Sequence, residues 1–253
     1  VLRFFMDISQ DTNTVYLFLF GISILASFID SIAGGGGLLT TPSMLLVGIN
    51  PLTVLGTNKF QSSFSTFTSA RNYFNNGYLT DVNKNKYFIL SFIGSSFGTL
   101  MVSRLSDEIL RTLIPILLIS VAIFVILNRK VKTDLSNYIV LLTPFIFLIG
   151  FYDGFFGPGT GSFFVMLFLI FKHQTLLEST ATSKLLNFAS NFAAFIIFAL
   201  QGYVIWELGI IMAFGGITGA YLGSKSAIKI GDKLIRPILV VVSILLSLRI
   251  LFS

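Results

Sequence analysis

The chain has 253 residues, of which 54% are hydrophobic and 11% charged, against about 45–50% and about 25% in an ordinary soluble domain. With 28 Phe, no Cys, a single His and a net charge of +6, this is the composition of an integral membrane protein. It excludes disulfides, thiolate metal sites, iron–sulfur clusters and multi-His metal ligation. The Lys and Arg residues lie mostly in short connections between apolar runs, as residues that set membrane orientation do, so nucleic acid is not expected as a partner.

The first apolar run covers 15–32. Asp7 and Asp11 precede it where a cleaved signal would be basic, so it is expected to be retained as a helix. It ends at Asp30 and the run Gly34, Gly35, Gly36 and Gly37. A short run, 38–49, follows, and then longer ones at 57–73, 87–103 and 109–127. A basic linker, 128–137, leads to a second series: 138–151, ending at Asp153 and the cluster Gly157, Gly159 and Gly161; a short run at 162–171; and longer runs at 182–200, 207–224 and 235–251. His173, next to Lys172 at a segment end and without a nucleophile motif, reads as an interfacial loop residue, and Tyr203 and Trp206 read as interfacial anchors.

Sliding the sequence along itself superimposes Thr57 on Thr182, Lys59 on Lys184, Ser65 on Ser190 and Gly77 on Gly202. The same offset brings Gly94 and Gly98 onto Gly219 and Gly223. Asp30 and Gly34 match Asp153 and Gly157 only when the second copy is given two extra residues in its Gly-rich turn. The chain therefore reads as a tandem duplication, 1–128 and 129–253, forming together one transport domain. The expected fold is all-α, with two homologous repeats, each a broken or re-entrant helical hairpin plus three transmembrane helices. The short elements are the reason: ten to twelve residues reach roughly 15–18 Å, about half of a bilayer core.

Charge placement chooses the orientation. A hairpin plus three spans per repeat collects Lys84, Lys86, Arg129, Lys130, Lys132, Lys172, Lys225, Lys229, Lys233 and Arg236 on one side, leaving Arg3, Arg104, Arg111 and Arg249 opposite. Four spans per repeat would divide the charges evenly. Inverted repeats with both termini outside the cytoplasmic membrane are therefore expected.

Adjacent glycines forfeit helix stability where unpaired backbone groups are costly. A break followed by a half-helix offers free N–H groups and the positive end of a dipole, which suits an anion. The candidate substrate-binding residues are accordingly Gly34, Gly35, Gly36 and Gly37 with Thr57, Asn58, Lys59 and Gln61 in the first copy. In the second they are Gly159, Thr160 and Gly161 with Thr182, Ser183, Lys184 and Asn187. The lysines either bind an anion or pair with Asp30 and Asp153, or they snorkel to the interface. The two aspartates are assigned to coupling or structure, with capping or pairing to Lys preferred. No cofactor, metal or catalytic residue is expected.

At these residues the chain resembles the TauE/SafE sulfite exporter family, with GGGGLLTTPSMLL and GTN in the first copy, and GPGTGSFFVMLF and ATS in the second. The second copy departs from the pattern, with Val165 at the place of Thr40 and no proline corresponding to Pro42. The resemblance implies outward transport of sulfite or a small organosulfonate, driven by the proton-motive force. The residues alone leave other classes open: a transporter of a cation or carboxylate, an intramembrane enzyme, or an assembly subunit that does not transport. Expected partners are a small anion, the lipid bilayer and, in a homodimer, a second copy of the chain.

Overall fold

The computed structural model describes residues 12–127, 135–172 and 174–230. Asp7, Asp11, most of the linker, His173 and the expected run at 235–251 lie outside these. The described residues form nine α-helices and no strand. They are α1 Thr12–Ala33, α2 Gly37–Leu46, α3 Pro51–Asn75, α4 Lys84–Val102, α5 Asp107–Leu127, α6 Leu142–Phe155, α7 Thr160–Lys172, α8 Leu176–Leu200 and α9 Trp206–Ile230, with a 3-10 turn, Ser136–Leu141, leading into α6. The two short elements are present at 10 and 13 residues. By length and composition, Thr12–Ala33, Tyr138–Phe155 and Leu176–Leu200 can each cross a bilayer.

Local chemistry sets several of the ends. Pro51 opens α3 at a position where no intrahelical N–H is needed. Thr175 and Glu178 form a reciprocal capping box at the start of α8. Gly77 and Gly202, which match in the sequence, end α3 and α8 with φ of 78° and 80°, a left-handed turn that favours glycine.

Small residues let the long helices approach closely. A Cβ added at Gly215, Gly219 or Gly223 of α9 would collide with α1 at Ser23, Ile24 or Ser31 and Phe28. Likewise, a Cβ at Gly94 or Gly98 of α4 would strike the backbone of Phe147 or Phe151 in α6. The fourth helix of each half therefore packs against the first helix of the other. Hydrogen bonds join α4 to α8 as well: Ser91 and Ser95 donate to the carbonyls of Leu186 and Ser190 at 2.9 and 2.6 Å. On the other side, α9 meets α3, with Gly209 against Phe60 and Asn72 donating to Ser224 at 2.8 Å. Such packing replaces the hydrophobic drive that lipid does not supply between helices.

Helices α3 and α8 cross at the centre and run antiparallel. Gly56 lies against Phe198, Phe60 meets Phe195 with ring centroids 5.0 Å apart, and Phe67 meets Phe188 at 5.2 Å. By contrast, α9 runs parallel to α1 and α3, and α4 runs parallel to α6 and α8, as the ascending order of their contacts requires. The outer surface carries Phe97, Leu148, Phe214 and Leu222, all exposed, whereas Lys59, Gln61, Asn187 and Lys184 are buried. That distribution suits a lipid-facing exterior around a polar interior.

Candidate functional site

The tips of the two short hairpins meet inside the bundle. Gly34 leaves no room for a side chain, since a Cβ there would lie 2.5 Å from the Ser162 amide nitrogen. Ser162 donates to the Ala33 carbonyl at 3.0 Å, tying the start of α7 to the end of α1. Ser183 of α8 donates to the Gly161 carbonyl at 2.8 Å.

Two ion pairs flank this junction, and each joins one half of the sequence to the other. Lys59 of α3 reaches Asp153 of α6 at 2.9 Å, and Lys184 of α8 reaches Asp30 of α1 at 2.8 Å. Lys59 and Lys184 are 1% and 0% exposed, so neither snorkels to an interface. Burial this deep is tolerated because each ammonium has its carboxylate in contact. Asp30 also caps α2, its Oδ1 accepting from the Gly36 N–H at 3.0 Å.

A cavity opens beside the pairs. On α3 its wall is Asn58, Lys59, Gln61, Ser62, Ser65 and Thr66. Positions 58, 61, 62 and 65 follow the i, i+3, i+4, i+7 spacing that lays one stripe along a helix. Ala26, Ser27 and Asp30 come from α1, Thr40 from α2, Asp153 from α6, and Asn187 and Asn191 from α8. Gly35, Gly36 and Gly37 of one tip and Gly157, Gly159, Thr160 and Gly161 of the other complete the lining. Internal bonds order the wall: Thr40 donates to Asn58 Oδ1 at 2.7 Å, Gln61 to Ser27 at 2.9 Å, and Asn191 to Asn187 Oδ1 at 3.0 Å.

The family profile described as sulfite exporter TauE/SafE matches residues 19–250, a range that takes in both hairpin tips and the whole cavity wall. The chain belongs to the TauE/SafE sulfite exporter family. It is 41% identical over 240 residues to a Sinorhizobium protein named "Probable membrane transporter protein ORF9", covering 92% of this chain and 91% of the relative. It is 39% identical over 240 residues to "Probable membrane transporter protein YfcA" of Escherichia coli K12, covering 93% and 89%. A more distant relative, "Probable membrane transporter protein YdhB" of Bacillus subtilis, shares 26% over 220 residues, 83% of this chain and 88% of that protein. No solved structure matches the chain.

Within this TauE/SafE chain, the residues singled out from the sequence separate into two groups. Gly35, Gly36, Gly37, Asn58, Lys59, Gln61, Gly159, Thr160, Gly161 and Asn187 line the cavity together with both aspartates. Gly34, Thr57, Thr182, Ser183 and Lys184 are buried outside its lining. Thr57 accepts from the Ile205 N–H at 3.1 Å and so fastens α3 to the connection before α9. Ser183 is spent on Gly161, and Lys184 on Asp30. Thr57 is one residue from Asn58, a turn of about 100° on a helix, which places it on the adjoining face. Helical periodicity also marks the residues that spacing from the Gly clusters missed: Ser62, Ser65, Thr66 and Asn191.

Proposed function

We propose that this transporter carries sulfite or a small organosulfonate anion outward across the cytoplasmic membrane, through the cavity between the two broken hairpins. The observation that carries the reading is Lys59, a fully buried ammonium in the wall of a cavity lined besides by amides, hydroxyls, hairpin-tip glycines and the carboxylates of Asp30 and Asp153. An oxyanion with several oxygens needs several donors at fixed angles, and this wall supplies them. Asp153 balances Lys59, so a cation entering the cavity gains no net negative field and an anion competes for an ammonium already desolvated. An inside-negative potential of roughly 100 mV favours expelling one negative charge by about 2.3 kcal/mol, so export can run downhill without an added coupling ion.

The halves are read as inverted repeats with both termini outside, working by alternating access. Antiparallel packing of the matching helices α3 and α8, and the exchange of partners between α1 and α9 and between α4 and α6, support that reading. Rocking of one hairpin and its partners against the other would expose the cavity to each side in turn.

The test is flux into purified proteoliposomes for sulfite, sulfate, sulfoacetate, taurine and chloride, with and without a pH gradient. Selective flux of sulfite or a sulfonate is expected, reduced at least about 100-fold in Lys59→Ala, which removes a charged hydrogen-bond donor from the binding wall. Absence of flux for every anion would overturn the reading.

A further inference from the structure

We propose that Asp153 sets substrate choice in this cavity, selecting an oxyanion that carries its own hydrogen-bond donor; the inference rests on the anion-export reading above. Asp30 and Asp153 match in the sequence but are wired differently. Both oxygens of Asp30 are used, Oδ2 by Lys184 at 2.8 Å and Oδ1 by the Gly36 N–H at 3.0 Å. Asp153 Oδ1 accepts from Lys59 at 2.9 Å. Its Oδ2 is buried and has no hydrogen-bond partner among the described residues.

The difference follows from the two extra residues in the second Gly-rich turn. In the first turn the chain closes tightly enough for an amide to reach back to Asp30. In the second, Gly157-Pro158-Gly159 closes on itself: the Thr160 N–H and hydroxyl both donate to the Gly157 carbonyl, at 3.1 and 2.6 Å, and Tyr152 donates to the Pro158 carbonyl at 2.6 Å. None of these groups is left for Asp153. The residue is 1% exposed and lines the cavity, and in this proposal a ligand held there supplies the donor that its buried, unpaired oxygen lacks.

An ionised carboxylate only accepts hydrogen bonds. A ligand whose oxygens are all acceptors would face Asp153 with repulsion and leave Oδ2 unsatisfied at a desolvation cost. A ligand bearing an O–H or N–H beside its anionic group answers both demands: the donor meets Asp153 Oδ2, and the anionic oxygens meet Lys59 and the amides of Asn58 and Asn187. The other charged groups near the site do not alter this balance, because Asp30 and Lys184 neutralise each other. Singly protonated sulfite and ammonium- or hydroxyl-bearing sulfonates have the required donor; the sulfite dianion and plain alkanesulfonates do not.

Ethanesulfonate, 2-hydroxyethanesulfonate and taurine share a two-carbon sulfonate frame and differ in the terminal donor. Their inhibition of sulfite flux in proteoliposomes would be compared for wild type and Asp153→Asn. At least one donor-bearing compound is expected to inhibit wild type about 10-fold or more better than ethanesulfonate, with the identity of that compound separating O–H from N–H recognition, and the ratio is expected to fall to within about 3-fold in Asp153→Asn. Equal inhibition by all three in wild type, which needs no variant to fold, would overturn the proposal while leaving the export reading intact. So would a preference that survives in Asp153→Asn. Absence of sulfite flux in wild type would remove both.

Discussion

Lys59 and Lys184 occupy matching positions, yet only Lys59 faces the cavity, and each takes its counter-ion from the opposite half of the chain. Removing one member of a buried pair leaves the other charge uncompensated, at a cost of about 3–5 kcal/mol. Lys184→Met is therefore expected to lower the melting temperature in detergent sharply, and Lys184→Met with Asp30→Asn to recover most of the loss. Equal melting of the single and double variants would contradict the pairing. The importance of the two lysines was legible from their duplication among Thr, Asn and Ser. Pairing with Asp30 and Asp153 was legible too, but not that each lysine takes the aspartate of the other half, because spacing within one copy says nothing of contacts made across copies. Thr57, Thr182 and Ser183 lie outside the cavity lining although they stand close to the lysines in the sequence, because successive residues on a helix advance about 100° and nearness to Lys59 or Lys184 along the chain does not decide facing.

At the scale of elements, the duplicated glycines separate into two uses. Those in the hairpin turns allow tip-to-tip contact, and those in α4 and α9 allow helices to touch backbone to backbone. The first use was readable in the sequence, since four consecutive glycines beside an Asp cannot sustain a regular helix and mark a break in the chain. The second showed only as matched pairs, because which helix they receive depends on the partner exchange between halves. Gly219→Ala places a methyl on the backbone of Ile24 and is expected to destabilise by about 1–3 kcal/mol. Gly21 sits in α1 with nothing near a new Cβ, so Gly21→Ala is expected to be neutral or to stabilise by up to about 1 kcal/mol. Thermal melts of both variants check this, and equal effects would count against the close α1–α9 crossing.

At the scale of the whole molecule, the α3–α8 crossing and the exchanged outer helices make the halves interdependent. Composition and apolar runs were enough to read an all-helical membrane protein with short interrupted elements. Orientation depended on counting charges in loops, which one miscounted segment can reverse, whereas the direction of packed helices bears on it independently. Asn76 and Gln201 are exposed and stand at equivalent places after α3 and α8. In sealed cells, Asn76→Cys and Gln201→Cys are expected to react with an impermeant thiol reagent from opposite faces of the membrane. Reaction from the same face would contradict the inverted arrangement.

The central claim is that the cavity between the hairpin tips is the route of the substrate. Because the chain has no Cys, a single thiol at Ser62, in the cavity wall, reports on that space alone. In proteoliposomes, an impermeant thiol reagent is expected to modify Ser62→Cys, and a saturating donor-bearing sulfonate, 2-hydroxyethanesulfonate or taurine, to slow the reaction several-fold. A rate of modification unchanged by 2-hydroxyethanesulfonate, by taurine and by ethanesulfonate would contradict the account.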